Sequence, residues 1–401
     1  MAPVPDGLRV AAVGDVFLDR DTPGNAFRHV KPFFTAADVA FANLEGAYAD
    51  EWHRAPSAGI PLVADPRHIT HLADAGLTVV SLANNHSVDG GFQALLHTRD
   101  ALRRTGIATA GAGSDSDDAR RPALLDTAHG RVAVLAYAAV FPRGYEARPG
   151  WPGLTPMRAY THYEPWESNE WNPGLLPRVT TVPHDGDHQA LREDIGAARA
   201  QADFVITSFH WGDFTRPYTL TDHERRTART AIDAGADAVL GHHHHLLRGI
   251  EFYRSRPILY GLGHFAFDLP DMETRLARDA YLGRGDPAEV RASQLRFGDY
   301  RIAPRDGYPL LPFHPDARMT AIATLTLTDG HVEAALVPCT LGPENEPQPV
   351  TDIASAERVC QYVRRCCDEE NLPTALQLQR PQPGQDASWL IRLAPVAETS
   401  R

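Results

Sequence analysis

The sequence predicts an α/β fold built on a mainly parallel sheet. Three observations carry that prediction. Short apolar runs recur along the chain, helical stretches lie between them, and most Asp, Glu, Asn and His residues of unusual placement fall where a run ends. Buried parallel strands read as continuous apolar runs. Strand–helix alternation implies right-handed crossovers, and ligands of such sheets gather beyond the carboxyl ends of the strands.

The first run, Leu8 to Val13, stops at Gly14-Asp15. Val39 to Ala42 leads into Asn43-Leu44-Glu45, and Leu77 to Ala83 into Asn84-Asn85-His86. Arg131 to Tyr137 is a further run. Phe204 to Phe209 ends at His210, Ala238 to Leu240 at Gly241 and four consecutive His, and Pro257 to Tyr260 at Gly261-Leu262-Gly263-His264. Helices are expected over Pro66 to Ala75, Gly91 to Thr105, Asp187 to Gln201 and Thr221 to Ala234. Residues 141–186 break the pattern with Pro, Gly and aromatics. So much aromatic mass argues against disorder and for a functional insertion. Residues 269–318 form a second irregular stretch, with many Arg. After it, Thr320 to Leu327 and His331 to Pro338 around Asp329-Gly330 read as a hairpin with a DG turn. The last sixty residues offer a helix from Ile353 to Glu370, a Pro/Gln-rich segment and a short strand near Trp389 to Leu393.

The 401 residues suit one large domain with insertions. A formal net charge of −12 argues against a nucleic-acid partner, because phosphate binding needs clustered Lys and Arg. No run reaches the ~18 apolar residues of a membrane-spanning helix, and the N-terminus has neither the basic nor the apolar part of a signal peptide. The four Cys, at 339, 360, 366 and 367, form no paired CxxC. Reduced thiols in the cytoplasm are therefore expected, without a membrane.

The chemistry-bearing residues follow the strands. Asp15 and Glu45 are carboxylates at strand ends, where each either binds a metal or caps a turn. Asn84-Asn85-His86 puts an amide oxygen and an imidazole at a strand mouth, with Asp89 near enough to orient His86; the alternative is that the two Asn make a turn and His86 caps the next helix. His210 has Asp213 three residues on, and His264 has Asp268 four on. The run His242-His243-His244-His245 is the strongest signal. His243 and His245 have the spacing to fall on one side of an extended segment, and neutral imidazoles are good ligands for divalent ions.

Together, GDVFLDR, ANLEGAY, SLANNHSVDGG, SFHWGDF, GADAVLGHHHHLLRGIEFYRSRPILYGLGHFAFD and TLTLTDGHVEAALVPC resemble the CapA/PgsA family of poly-γ-glutamate capsule synthesis, in family order from residue 8 to about 340. The resemblance implies a calcineurin-like metallophosphatase fold, a β-sandwich flanked by helices. It divides the chain into a metal-dependent catalytic domain, 1–340, with the 141–186 insertion as a substrate loop, and a C-terminal α+β extension, 341–401. It implies metal ligands at Asp15, Glu45, Asn85, His210, His243 and His245, and a catalytic or supporting role for His86. Phe17 stands where the wider fold has the His of an Asp-x-His motif, and Glu45 where it has a bridging Asp. One divalent ion (Mn²⁺, Ca²⁺ or Zn²⁺) is therefore expected.

The resemblance extends to soluble peptide epimerases of lasso-peptide gene clusters. A surplus of imidazoles with nearby acids suits proton transfer on both faces of a peptide Cα. The expected reaction is therefore epimerisation of an L- to a D-residue in a ribosomal precursor peptide. The expected catalytic groups are His86, Asp89, His210, Asp213 and His264. Trp151, Trp166 and Trp171 are expected to wall the peptide site, and Arg143 (or Arg216 or Arg301) to hold a terminal carboxylate. The alternatives are a metal-dependent phosphoester or amide hydrolase, and a non-catalytic subunit of polymer synthesis or export.

Overall fold

Two β-sheets pack face to face in the computed structural model, which describes residues 7–167, 171–271, 298–381 and 387–396. The larger sheet grows from Leu8–Phe17, buried throughout except at Arg9. Parallel to it on one side lie Val39–Leu44, then Val79–Ser81, then Ala108–Ala110. On the other side the strand changes partner along its length. Residues 8–12 pair antiparallel with Met319–Thr328, and residues 15–17 pair parallel with His264–Phe267. The change coincides with an irregularity in register between Asp15 and Val16, the kind of defect that re-aims a side chain. His331–Leu341, Leu390–Pro395 and Thr374–Gln379 complete the sheet antiparallel.

The second sheet has a parallel centre of Gly130–Ala138, Phe204–His210, Ala238–His242 and Arg256–Leu259. Ala123–Thr127 and Ile250–Tyr253 flank it antiparallel. One contiguous apolar core lies between the sheets, with Val10, Val13, Val80 and Leu325 from one and Val134, Ile206, Val239 and Ile258 from the other. Helices cover the outside. Gly91–Arg104 buries Ala94, Leu95, Thr98, Ala101 and Leu102, the 3.6-residue spacing of a half-buried helix. Asp222–Ala234 starts with a capping box between Thr221 and Glu224 and stops at a left-handed Gly235. The last sixty residues add the Ile353–Glu369 helix and the last two strands to the same body.

The α/β sandwich flanked by helices is the fold that the sequence predicts. Some elements differ from the expectation. The 141–186 insertion contains a two-stranded hairpin, Ala159–Glu164 with Arg178–Pro183. Its strands are polar or exposed at most positions, so no apolar run marks them. Of the irregular 269–318 stretch, residues 272–297 lie outside the described residues, as do 382–386 of the Pro/Gln-rich segment. Among the described residues no helix is long and apolar enough to cross a membrane. All four Cys are buried free thiols.

Candidate metal centre

Strand ends from both sheets meet along one edge of the sandwich. Leu8–Phe17 brings Asp15, Val39–Leu44 brings Asn43 and then Glu45, and Asn84, Asn85 and His86 follow Val79–Ser81. His210 closes its strand, and the His run begins on the last residue of Ala238–His242. Gly14 makes the approach possible. A Cβ there would fall 1.9 Å from the Gly263 carbonyl oxygen, the same oxygen that accepts the Asp15 N–H at 2.9 Å. After the strand, His243 and His245 adopt φ of 94° and 55°. Non-glycine residues in this region cost about 1–3 kcal/mol each and cluster at functional sites.

Two groups of ligand atoms result, each with its members within 4.8 Å of one another: Asp15, Glu45 and His245, and Glu45, His210 and His243. Glu45 belongs to both. His245 Nδ1 lies 3.3 Å from Asp15 Oδ2, and its Nε2 lies 3.9 Å from Glu45 Oε1. His210 Nε2 lies 3.7 Å from Glu45 Oε1, 2.6 Å from Asn85 Oδ1 and 3.2 Å from His243 Nδ1. The Asn85 amide oxygen thus joins the second group.

The cluster fits a cation. Asp15 Oδ2 and both carboxylate oxygens of Glu45 are buried without a hydrogen bond. Such atoms are costly unless a positive charge meets them. Burial would lift Asp15, but the adjacent His245 imidazole, with the charges of His242 and His210, holds its carboxyl well below the usual range. Burial, then the neighbouring Asp15, push Glu45 well above it. Burial drives the His210 and His243 imidazoles well below their ordinary range, which keeps them neutral with a lone pair to give. Carboxylate, amide oxygen and neutral imidazole together form a donor set for a divalent ion.

Supporting residues lock the ligands. Asn43 Nδ2 donates to Asp15 Oδ1 at 2.9 Å and stands 3.3 Å from His210 Nδ1. Asn84 Nδ2 donates to the Leu44 carbonyl at 2.8 Å, and its oxygen accepts from His86 N and Ser87 Oγ. His86 Nδ1 lies 2.7 Å from Asp89 Oδ2, and its Nε2 lies 3.9 Å from Glu45 Oε1. Asp89 also accepts from Leu62 N at 3.0 Å and Tyr145 OH at 3.3 Å. His244 turns out of the cluster to Glu224 Oε1 at 2.9 Å. His242 lies 3.8 Å from Asp15 Oδ1 beside the Phe41 ring, and burial pushes its imidazole down to about 4.

Sequence reasoning missed Asn43, Glu224 and Tyr145. Asn43 carried a signal, since it ends an apolar run two residues before Glu45. Two expected pairings are corrected. Asp213 does not serve His210: its carboxylate caps its own turn, accepting from Thr215 N and Oγ1 and from Arg216 Nε. Asp268 does not serve His264: the Arg20 guanidinium takes both its oxygens, and Asn345 Nδ2 adds a third bond. His264 itself is fully buried, its ring 4.5 Å from His245 and 4.3 Å from Phe313. Trp151 packs edge-on against Phe92. Trp166 and Trp171 line a cleft on the 159–183 hairpin that shares no residue with the ligand cluster. Arg143 is exposed two residues before Tyr145.

Known proteins resemble this chain along the same segments. Residues 9–269 match the model of the bacterial capsule synthesis protein PGA_cap. An uncharacterized protein y4sH of Sinorhizobium fredii is 33% identical over 351 residues, 74% of each chain. The PGA biosynthesis protein CapA of Bacillus subtilis is 28% identical over 67% of this chain and 66% of its own. A probable polyglutamine synthesis accessory protein of Mycobacterium tuberculosis, Rv0574c, is 33% identical over 67% of both chains.

Proposed function

Because the chain belongs to the bacterial capsule synthesis protein family PGA_cap, we propose that it is an accessory protein in the making of a polyglutamate-type polymer and that it works through a divalent-metal centre. Glu45 is the observation that carries this reading. Its carboxylate stands at the junction of two ligand groups, with neither oxygen hydrogen-bonded. Asp15, Glu45 and His245 would hold one ion. The second group, with Asn85, gives room for another where the sequence suggested one. Imidazole-rich sets favour Mn²⁺ or Zn²⁺ over Ca²⁺, which takes oxygen ligands. Such an ion supplies Lewis-acid polarisation of a carbonyl or phosphoryl oxygen.

A catalytic reading rests on the His86–Asp89 pair. With Nδ1–H donated to Asp89, Nε2 is left to take or return a proton beside the cluster. The pair stands at the rim: the His86 side chain is 22% exposed, whereas the other imidazoles of the site are buried. One reachable imidazole suits hydrolysis of an amide or phosphoester better than Cα epimerisation, which takes a second group on the opposite face. The expected second group, His264, is sealed under Phe267 and Phe313. A peptide epimerase would need a second reachable acid or base opposite His86, a place that the buried His264 does not fill. The buried thiols suit the reducing cytoplasm as its location.

The test is complementation of a polymer-producing bacterium that lacks its own family member. Wild type restores polymer and Glu45→Ala does not. Failure of the wild type sinks the accessory role, and rescue by Glu45→Ala sinks the metal centre. In parallel, purified protein is incubated in D₂O with a γ-linked glutamate oligomer, an aromatic-ended peptide and a generic phosphoester, with and without chelator. Cleavage that needs metal and His86 supports hydrolysis, and deuterium at one Cα of an intact peptide supports epimerisation. His86→Ala is expected to stop either reaction with metal content unchanged.

A further inference from the structure

The 159–183 hairpin carries an exposed apolar surface that neither the metal centre nor the core uses. Among the described residues, seven of the twelve exposed large hydrophobic side chains fall between residues 160 and 179. Trp171 is 72% exposed, Leu176 79% and Tyr163 69%. A cleft of about 510 Å³ opens among Glu164, Trp166, Glu167, Trp171 and Arg178. Contiguous exposed apolar patches of this kind mark interaction sites.

The backbone is equally exposed, and on one side only. Thr161 stands opposite Thr181 in the hairpin register. The Thr181 N–H does not bond across the hairpin; it donates outward to Asp222 Oδ2 at 3.0 Å, and His223 N donates back to Thr181 Oγ1 at 3.0 Å. The Arg178–Pro183 edge is thus seated on the Asp222–Ala234 helix. In an antiparallel ladder, directly opposed residues are both inward-bonded or both outward-facing. Thr161 and Tyr163 therefore turn their N–H and C=O groups to the opposite edge. No described residue hydrogen-bonds to those N–H groups. Residues 160–164 are all exposed, and neither Lys nor Pro guards the Ala159–Glu164 strand. A free edge of this kind is a template for strand pairing, and a two-stranded hairpin alone is marginal in water.

We propose that the occupant of this surface is a second copy of the chain. The two Ala159–Glu164 strands pair antiparallel about a two-fold axis near Thr161, and the aromatic tips close over the joint. The patch is self-complementary in charge, as a two-fold interface requires. A two-fold axis at Thr161 sets Glu164 opposite Arg158 of the second copy, and the Arg158 side chain is 46% exposed beside its pair with Asp187. With roughly 200 Å² per aromatic side chain, the exposed parts of Tyr160, Tyr163, Trp166 and Trp171 come to roughly 500 Å², shared between the two faces of the hairpin because Tyr160 and Tyr163 alternate across the strand. The aliphatic residues add to this, approaching the ~800 Å² per partner of a stable interface. A lipid surface is disfavoured: residues 151–184 carry three Glu against two Arg, whereas membrane-surface segments carry an excess of basic residues.

Sedimentation velocity of the full chain, from about 1 to about 100 μM, tests the proposal. Wild type is expected to dimerise with a Kd of about 10 μM or tighter. Thr161→Pro removes one outward N–H and leaves the hairpin's own ladder intact; it should weaken the dimer at least about tenfold. Trp171→Glu should be monomeric. Circular dichroism and metal content matching wild type show that both variants fold. A wild type that stays monomeric overturns the proposal, as does a folded Thr161→Pro that dimerises like wild type. A monomer that co-sediments with phosphatidylcholine vesicles also overturns it, and assigns the patch to lipid.

Discussion

Glu45→Gln should move the stability of the metal-free and metal-loaded protein in opposite directions. In the absence of metal the Glu45 and Asp15 oxygens lie within 4.8 Å of each other in a buried site. Two full charges at that separation repel by at least about 3 kcal/mol at an effective dielectric of about 20. Glu45 escapes by binding a proton, which is why burial and Asp15 raise it well above its ordinary 4.5. A raised carboxyl contributes stability in full below its unfolded value and loses it as pH rises towards the folded one. The metal-free wild type should therefore weaken as pH climbs above about 4.5, whereas the Gln variant, having nothing to protonate, does not share that loss. At pH 8 in chelator, Glu45→Gln should melt up to about 5 °C higher, at about 1–2 °C per kcal/mol for a chain of this size. With metal at about a thousand times its Kd, wild type gains about 4 kcal/mol. The variant, short of the ligand that both groups share, gains less, and the order reverses. Calorimetry in chelator and in excess Mn²⁺ or Zn²⁺, across pH 5 to 9, reads all three effects. If Glu45→Gln lowers the melting point without metal, the carboxylate is a structural acceptor and the reasoning fails.

Asp89→Asn leaves His86 Nδ1, Leu62 N and Tyr145 OH facing an amide in place of an anion; a loss of about 1–3 kcal/mol by denaturant titration is expected, with metal content unchanged by elemental analysis. Gly14→Ala drives a methyl into the Gly263 carbonyl. It should cost at least about 3 kcal/mol and lower metal stoichiometry, because Asp15 moves with its strand; a variant with wild-type metal content would show that the approach is soft. His188 is pushed down to about 4 by burial and bonds Thr227 Oγ1 at 2.8 Å. The unfolded chain takes up that proton first, so stability should fall as pH drops from about 6.5 to about 4. His188→Gln should flatten that limb of the pH–stability curve.

The strand ends were legible because a parallel strand is buried on both faces and so cannot hide its apolar run. Leu8 to Val13, Val39 to Ala42 and Phe204 to Phe209 all sit inside observed strands, and the residues that follow them converge. The partners of those residues were not legible where the chain folds back from far away. Asp268 is claimed by Arg20, 248 residues distant, although His264 is four residues away. His244 finds Glu224, which in sequence reads only as part of a helix start. The His264–Phe267 strand is four residues long, too short for periodicity to separate it from a loop. The 159–183 hairpin escaped because its strands bury no continuous face, so the two-residue alternation that marks most hairpins is missing.

The run of four His looks redundant in composition and is not redundant in space. His243 and His245 enter the cluster, His242 lies beneath Asp15, and His244 closes a bond to a distant helix. Identical side chains thus hold four separate assignments, fixed only by position relative to the strand that precedes them. A single added His would leave the run looking almost unchanged, yet it would shift each imidazole into its neighbour's place. Homopolymeric tracts usually tolerate a change of length. This one should tolerate none, and a five-His variant is expected to bind no divalent ion at the cluster.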